Sequence, residues 1–314
     1  MEVGLSFSIF GKKTFGTAVR GSAVHPEERH FAQCGEFGIR IVELLIMEGY
    51  IRPGDWKDLQ NIRHFAEKHN VRINSVHGPS GSPVNGHWLA DEDEGIRRKS
   101  VQERKLAIEG AQLLGASYCV VEFEAYPHWP YWPRNQKAEA VFPRALDRWR
   151  LSLDELLKSA ANTGVKLAIE NIDGLSGRQL EAIVSQLDPD LAGVCFDVSH
   201  ACYNGGLREE LELLAPYVIG AHLSDNDALS GPAYVDRHWR PFTGSVDWEW
   251  LIHRLLEKSR CKSLILEILD GNKPEISREL AETCRKIEHM TQVQIARSQR
   301  TENALHVFPG RRNH

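Results

Sequence analysis

Four strand-like apolar stretches in the second half of the chain each end on a side chain that can bind a metal ion. The stretches are Lys166–Asn171, Gly193–His200, Ile219–Asp225 and Leu264–Ile268, and the side chains are Glu170, Asp197, His222 and Glu267. Three carboxylates and one imidazole suit Mn²⁺, Mg²⁺ or Co²⁺ better than a structural zinc site, which would draw on thiolates. A cation held in this way can polarise a carbonyl or hydroxyl oxygen of a substrate. One acidic residue at a strand end is as often a helix cap, but four such positions together favour a metal site.

The elements that would carry these residues alternate between short apolar runs and longer helical patterns. The eight predicted strands are Val3–Phe10, Ile39–Ile46, Arg72–His77, Tyr118–Phe123, Lys166–Asn171, Gly193–Val198, Val218–Ser224 and Ser263–Leu269. Helices are predicted between them, among others at Trp56–Lys68, from the acidic residues after Asp91 to Leu114, from Phe142-Pro143 to Gly164, and at Trp248–Lys258.

Eight strand-helix units of this kind predict an α/β fold, a single-domain (β/α)8 TIM barrel that spans residues 1–290. The carboxyl ends of the strands of such a barrel meet at one mouth, so the four metal-binding side chains would become neighbours in space. An open doubly wound sheet is the alternative. It usually carries a glycine-rich phosphate turn after an early strand, and no GxGxxG or GxxxxGK pattern is present.

Composition limits the classes of partner. The chain has 314 residues, of which 42% are hydrophobic and 26% charged, and its formal net charge is −5. This mildly acidic balance provides no general attraction to nucleic acid or to an anionic membrane. Six scattered cysteines without a CxxC pair are typical of reduced, buried thiols, and no apolar run is long enough to span a membrane. We therefore expect a cytoplasmic protein with a small-molecule substrate.

The last segment, residues 291–314, differs from the rest. It is polar and rich in arginine, with one short apolar break at Leu305–Phe308. We expect a flexible C-terminal tail, with an arm for homo-oligomer formation as the alternative.

Further polar residues accompany the four metal-binding side chains. The candidates are His77 in SVHGP, Glu122 in VVEFE, His200 three residues after Asp197, Asp236 and His238 in VDRHWRPFTG, and, ranked lower, Glu43 in IVELL. An aromatic loop, YPHWPYWPR, places Trp129 among prolines, where its ring could stack on a substrate ring or pack in a subunit interface. No phosphate cradle is visible, so a phosphorylated substrate is not indicated.

The order of five short motifs carries a family resemblance. IEN, CFDVSH, AHLSDND, DRHxxPxxG and LILEI resemble the sugar isomerase and epimerase superfamily with a xylose isomerase-like barrel, which also contains nucleases of the endonuclease IV type. The resemblance implies a divalent metal, Mn²⁺ first and Mg²⁺, Co²⁺ or Zn²⁺ as alternatives, on Glu170, Asp197, His222 and Glu267. It also implies that Glu170 and Glu267 move a proton at the reacting carbon, while His200 contacts substrate oxygens.

The sequence thus predicts a metal-dependent isomerase or epimerase of a sugar or keto-sugar that works through an enediolate. Glu170 and Glu267 are the predicted catalytic residues, and substrate binding is predicted for His77, Glu122, His200, His238 and Trp129. A lyase or dehydratase on the same barrel and a non-catalytic sugar-binding protein remain alternatives. So does an abasic-site nuclease of the endonuclease IV type. Against the nuclease, Glu122 stands where those enzymes have a histidine, and the net charge is unsuited to a chain of phosphates.

Overall fold

A closed barrel of eight parallel strands organises the part of the chain that the structure describes. The structure, a computed structural model, describes residues 1–10, 25–80, 88–122, 136–172, 175–204, 206–227, 237–268 and 276–307. The strands are β1 (Glu2–Ser6), β2 (Ile41–Leu45), β3 (Arg72–His77), β4 (Tyr118–Glu122), β5 (Lys166–Glu170), β6 (Ala192–Asp197), β7 (Val218–Leu223) and β8 (Ser263–Leu266). Each strand pairs with its neighbours in sequence, and β8 closes on β1. The predicted (β/α)8 fold is confirmed, and a strand lies at each of the eight predicted places. The first strand is shorter than predicted, because it ends at Ser6 and Phe7–Phe10 forms a 3₁₀ helix.

Helices surround the barrel. In the described residues they are α1 (Glu28–Phe37), α2 (Trp56–Lys68), α3 (Glu94–Leu114), α4 (Gln136–Thr163), α5 (Gly177–Val184), α6 (Val198–Asn204), α7 (Leu207–Leu214), α8 (Trp248–Lys258) and α9 (Arg278–Val307), with short 3₁₀ helices at Phe7–Phe10 and Ala215–Tyr217. The bounds of α2 and α8 are as predicted. None of these helices combines the length and the apolar character that a membrane crossing requires.

Most helices begin and end at capping residues that the sequence contains. The Asp93 side chain accepts hydrogen bonds from the first backbone amides of α3, and Gly115 ends that helix with a φ of +73°. Helix α4 is the exception, because it begins at Gln136, six residues before the predicted start at Phe142. The intervening stretch is QKAEAV, and its first five residues have high helix propensity, which explains the earlier start.

Two cores share the strands. Strand side chains alternate between the helix-facing side and the barrel interior. The large core between strands and helices contains, for example, Leu167 and Val194, whereas Tyr118, Val120, Ala168 and Cys195 form a separate cluster. All six cysteines are free and buried, as predicted.

The amino end of the barrel interior is closed by neutral polar side chains. The amide of Asn74 donates to Ser263 Oγ at 2.9 Å and to Tyr118 Oη at 3.3 Å. Gly220 makes room for the tyrosine, since a side-chain carbon there would lie 2.3 Å from Tyr118 Oη. We call Asn74, Tyr118 and Ser263 the barrel floor.

The last helix continues past the predicted end of the domain. Helix α9 runs without a break across residue 291 to Val307, so the segment 291–307 is helical where an irregular tail was predicted. The prediction of a tail rested on the polar composition of this segment. Its alanine, glutamine and arginine residues also have high helix propensity, which favours the helix. The boundary at residues 290 and 291 stays a prediction, and residues 308–314 lie outside the described part of the chain.

Candidate metal centre

The four predicted metal-binding side chains lie at the carboxyl ends of neighbouring strands. Glu170 ends β5, Asp197 ends β6, His222 is the fifth residue of β7, and Glu267 follows β8 directly. Residues two positions apart on a strand face the same side of it. Each metal-binding side chain therefore lies one layer above the interior residue two positions before it. These lower residues are Ala168, Cys195, Gly220 and Ile265. All four metal-binding side chains are buried, and we call them the mouth cluster.

His222 stands at the centre of the mouth cluster. Its Nδ1 atom lies 2.9 Å from Glu170 Oε1, 3.0 Å from Glu267 Oε2 and 3.9 Å from Asp197 Oδ2. One ligand atom from each of the four residues lies within 4.8 Å of all the others, which is a suitable spacing for a single ion. The structure therefore brings the four side chains together.

The electrostatics of the mouth cluster favour a positive charge at its centre. Burial opposes a charge on His222, but Cys195 and the surrounding carboxylates raise the pKa of this imidazole well above its ordinary value. Burial likewise opposes ionisation of the two glutamates. The nearby imidazole nevertheless holds the pKa of Glu170 well below its usual value and lowers that of Glu267 to about 2. A proton on His222 and a metal ion beside it are two ways to balance the same carboxylates.

The remaining carboxylate, Asp197, has a free buried oxygen. Within the described residues, Asp197 Oδ2 is inaccessible to solvent and accepts no hydrogen bond. Burial raises the pKa of Asp197, and the nearby imidazoles of His200 and His238 only partly oppose this shift. An unpaired buried carboxylate oxygen is costly, and a cation between it and His222 Nδ1 would remove the cost. The donor set and this oxygen together fit a divalent metal ion.

The backbone around Asp197 is held by a side-chain amide. Asn171 Nδ2 donates to the carbonyl of Asp197 at 2.9 Å, and the amide of Asp197 donates to Asn171 Oδ1 at 2.6 Å. The other oxygen of Asp197, Oδ1, accepts from the backbone amide of His200 at 2.7 Å. One oxygen thus anchors the turn into α6, and the other is left for a ligand.

A second group of possible ligands adjoins the mouth cluster and consists of His77, Glu122 and Glu170. His77 Nδ1 lies 2.9 Å from the carbonyl of Gly78, so it carries a hydrogen and donates to this oxygen. His77 Nε2 lies 3.3 Å from Glu170 Oε2 and 3.6 Å from Glu122 Oε1. Burial opposes a charge on His77, yet the hydrogen bond to Glu170 and the nearby carboxylates raise its pKa to about 10.

A third group lies on the other side and consists of Asp197, His200 and His238. His200 Nδ1 is 2.9 Å from the carbonyl of Asn171, and the rings of the two histidines meet edge to face. His238 adopts a left-handed backbone conformation with φ at +46°, which is unusual for a residue other than glycine. His77, Glu122, His200 and His238 therefore all border the mouth cluster.

Several predicted residues do not take part or cannot be placed. Trp129 and Asp236 lie outside the described residues. Two arginines beside His238 could bind an anionic group at the mouth, but both are paired with carboxylates: Arg237 with Asp227 at 3.0 Å, and Arg240 with Glu279.

Glu43 has a more central position than its low rank suggested. It is completely buried, and its carboxylate contacts His222 inside the barrel. The sequence did indicate this position, because Glu43 lies in the middle of the apolar strand IVELL. A buried carboxylate without a partner is costly, so a glutamate at such a place should have a partner inside the barrel.

Comparisons with known proteins agree with this architecture. The family model described as "Xylose isomerase-like TIM barrel" matches residues 31–287. An uncharacterized protein of Methanocaldococcus jannaschii is 29% identical over 224 residues, which cover 68% of this chain and 69% of that protein.

Among solved structures, a D-tagatose 3-epimerase-like protein has a TM-score of 0.71 at 21% identity and covers 95% of this chain and 100% of its own. The IOLI protein, solved with a zinc atom, has a TM-score of 0.69 at 17% identity and covers 94% and 99%. Other sugar epimerases of known structure share the fold. These similarities concern the fold, and with the extent of the family match they lead to one conclusion: the chain belongs to the family of xylose isomerase-like TIM barrels.

Proposed function

We propose that this protein is a divalent-metal-dependent isomerase or epimerase that transfers a proton within a sugar or keto-sugar. The observation that carries the proposal is the placement of two carboxylates around one imidazole nitrogen. Glu170 Oε1 and Glu267 Oε2 lie 2.9 and 3.0 Å from His222 Nδ1. Epimerisation needs one group that removes a proton from carbon and another that returns a proton to the opposite face.

The metal ion would supply one part of this chemistry. When bound by Glu170, Asp197, His222 and Glu267, a divalent cation would polarise the substrate carbonyl and favour the enediolate charge. Mn²⁺ is our first choice because oxygen ligands dominate, with Mg²⁺, Co²⁺ and Zn²⁺ as alternatives. The zinc atom in the IOLI protein supports a divalent ion in this fold.

The protein's own groups divide the remaining work. Glu170 and Glu267 would hold and move the proton at the reacting carbon. Glu267, Glu122 and His200 have side chains that are 11, 14 and 12% exposed, whereas Glu170 is almost fully enclosed. These partly open side chains border the space that a substrate can reach.

Substrate orientation is our proposal for the groups around the cluster. A sugar offers hydroxyl groups to His200 and His238 on one side and to His77 and Glu122 on the other. We also assign Trp129 to substrate binding, as the sequence predicted, because an aromatic face can stack on a sugar ring.

One observation favours a second candidate, an abasic-site phosphodiesterase of the endonuclease IV type. Glu170 joins the mouth cluster to the group with His77 and Glu122, and Asp197 joins it to the group with His200 and His238, so the mouth has donors for more than one cation. Two observations favour the isomerase: the net charge is −5, and Glu122 stands where the nucleases have a histidine.

The test is turnover in deuterated water. Purified protein reconstituted with Mn²⁺ is incubated with a panel of ketoses and keto-sugars, and the products are followed by NMR. We expect an epimer or isomer with deuterium at one carbon and no activity in His222→Ala. Turnover without deuterium incorporation would contradict proton transfer. A product that has lost water would identify a dehydratase, and cleavage of an abasic-site duplex without sugar turnover would identify the nuclease.

A further inference from the structure

Glu43 lies in the middle of β2 and is completely buried inside the barrel. Its carboxylate sits on the side of His222 that faces away from the other carboxylates. His222 Nε2 lies 3.2 Å from Glu43 Oε2, to which it is hydrogen-bonded, and 3.1 Å from Glu43 Oε1. The imidazole is therefore placed between Glu43 on one edge and the mouth cluster on the other.

This contact determines which ring nitrogen can bind a metal. An ionised carboxylate only accepts hydrogen bonds, so Nε2 of His222 must carry a hydrogen and donate it to Glu43. In the neutral ring the lone pair then belongs to Nδ1. That nitrogen faces Glu170 and Glu267 at 2.9 and 3.0 Å. The tautomer that Glu43 selects is the one that the metal site requires.

Glu43 is itself held in place. Ser75 Oγ donates to Glu43 Oε2 at 2.8 Å, and both side chains are completely buried. The pairing of β2 with β3 shifts at this point, because Val42 lies opposite Ile73 while Glu43 lies opposite Ser75. The extra residue, Asn74, forms a bulge that brings the serine level with the glutamate. Without the bulge, Asn74 would occupy the position opposite Glu43.

The burial of Glu43 also requires a compensating charge. Ser75 is a neutral donor, and a buried carboxylate is stable only when it is both hydrogen-bonded and paired with positive charge. The partner within reach is the imidazole of His222, which can pass on the charge of a metal ion bound at Nδ1. A role confined to packing would leave this charge unexplained.

We infer that Glu43 is a positioning residue that fixes the ring orientation and tautomer of His222 and thereby increases the affinity of the mouth cluster for a divalent metal. The inference rests on the metal centre of the proposed function and adds to it a residue that binds neither metal nor substrate. In metal sites, loss of such a partner behind a histidine ligand weakens binding by roughly 10- to 100-fold.

The experiment compares Glu43→Leu and Glu43→Gln with the original protein. Leucine is of similar size but accepts no hydrogen bond, whereas glutamine can still accept from Nε2 without carrying a charge. Mn²⁺ dissociation constants of the metal-free proteins are measured by calorimetry or chelator competition. We expect roughly 10- to 100-fold weaker binding for Glu43→Leu and partial recovery for Glu43→Gln.

A matched control separates positioning from stability. Ser263→Ala alters a buried side chain of the barrel floor that contacts Asn74 and not the mouth cluster. We expect it to lower the melting temperature without changing Mn²⁺ affinity. Nitrogen NMR of His222 adds a second readout: the Nε2-protonated tautomer should dominate in the original protein loaded with diamagnetic Zn²⁺ and lose its dominance in metal-free Glu43→Leu at alkaline pH.

The outcomes distinguish the inference from the function on which it rests. Original Mn²⁺ affinity in both Glu43 variants would overturn the inference and leave the metal centre intact. Absence of Mn²⁺ binding by the original protein would instead overturn the metal centre. Should Glu43→Leu not fold, Glu43→Gln and Ser75→Ala decide the question: weaker binding in both supports the inference, and unchanged binding in both overturns it.

Discussion

The floor and the mouth of the barrel are both lined by buried polar side chains, but only the floor is self-sufficient. At the floor, Asn74, Tyr118 and Ser263 are neutral and hydrogen-bond to one another. At the mouth, three carboxylates surround one imidazole, and Asp197 Oδ2 accepts no hydrogen bond from any described residue. The two regions occupy opposite ends of the same barrel, and β8 contributes to both, with Ser263 at its start and Glu267 directly after its end.

The difference distinguishes buried polar groups that stabilise the fold from buried polar groups that need a bound cation. A buried neutral network stabilises the fold when its donors and acceptors match. A buried cluster with surplus negative charge is stable only with a cation, whether a proton or a metal ion. The mouth therefore has a property that the floor lacks: its stability and its chemistry depend on what it binds.

Loss of a mouth carboxylate should have the largest effect on activity. Glu170→Gln and Glu267→Gln each remove a proposed proton-transfer group, and we expect turnover to fall by roughly 10²- to 10⁴-fold. Ser263→Ala at the floor is the control and should retain turnover, as measured by steady-state kinetics on the substrate found in the screen. Full activity in either glutamine variant would remove that residue from the mechanism.

Metal addition should stabilise the protein through the mouth alone. At a free metal concentration 100 times the dissociation constant, linkage predicts a gain of about 2.7 kcal/mol in the free energy of unfolding. Thermal or urea unfolding with and without Mn²⁺ measures this gain. It should disappear in His222→Ala and persist in Ser263→Ala. The same gain in both variants would show that the ion binds elsewhere.

A change at the floor should affect stability and not metal binding. Ser263→Ala removes the hydroxyl that Asn74 and Tyr118 contact, and we expect the free energy of unfolding to fall by roughly 1–3 kcal/mol. Urea unfolding measures the loss, while Mn²⁺ affinity should stay within a factor of two or so of the original. A large loss of metal affinity would mean that floor and mouth are not independent.

The pH dependence of stability should reveal a further contribution of the mouth. His77 has a pKa raised from 6.5 to about 10, so the folded metal-free protein keeps a proton that the unfolded chain releases. The stabilisation is complete below pH 6.5 and is lost as the pH rises through about 10. His77→Gln should make the decline between these values shallower by at most about 1.4 kcal/mol per pH unit. An unchanged slope between these pH values would show that folding does not raise the pKa of His77.

Much of the barrel could be predicted because its strands carry a repeated local pattern. Apolar runs such as Lys166–Asn171 are punctuated by turns, and the side-chain period of two places each terminal acid or histidine inside the mouth. Helix caps depend on neighbouring residues in the same way, as with Asp55, whose side chain caps the start of α2. The start of α4 was missed because a proline was given more weight than the preceding helix-forming residues.

The contacts between distant residues could not be predicted in the same way. Glu43 and His222 are 179 positions apart, and their contact depends on closure of the barrel. The bulge at Asn74 leaves no mark in the sequence, yet it aligns Ser75 with Glu43. The sequence therefore indicated which residues end at the mouth, and the structure shows what stands behind them.

The most direct measurement of the central claim is an anomalous diffraction map of crystals grown with Mn²⁺. We predict a peak between Glu170 Oε1, Asp197 Oδ2, His222 Nδ1 and Glu267 Oε2, and none there in crystals of His222→Ala. A map of the original protein without a peak at this position, at a Mn²⁺ concentration that saturates all binding, would contradict the metal centre.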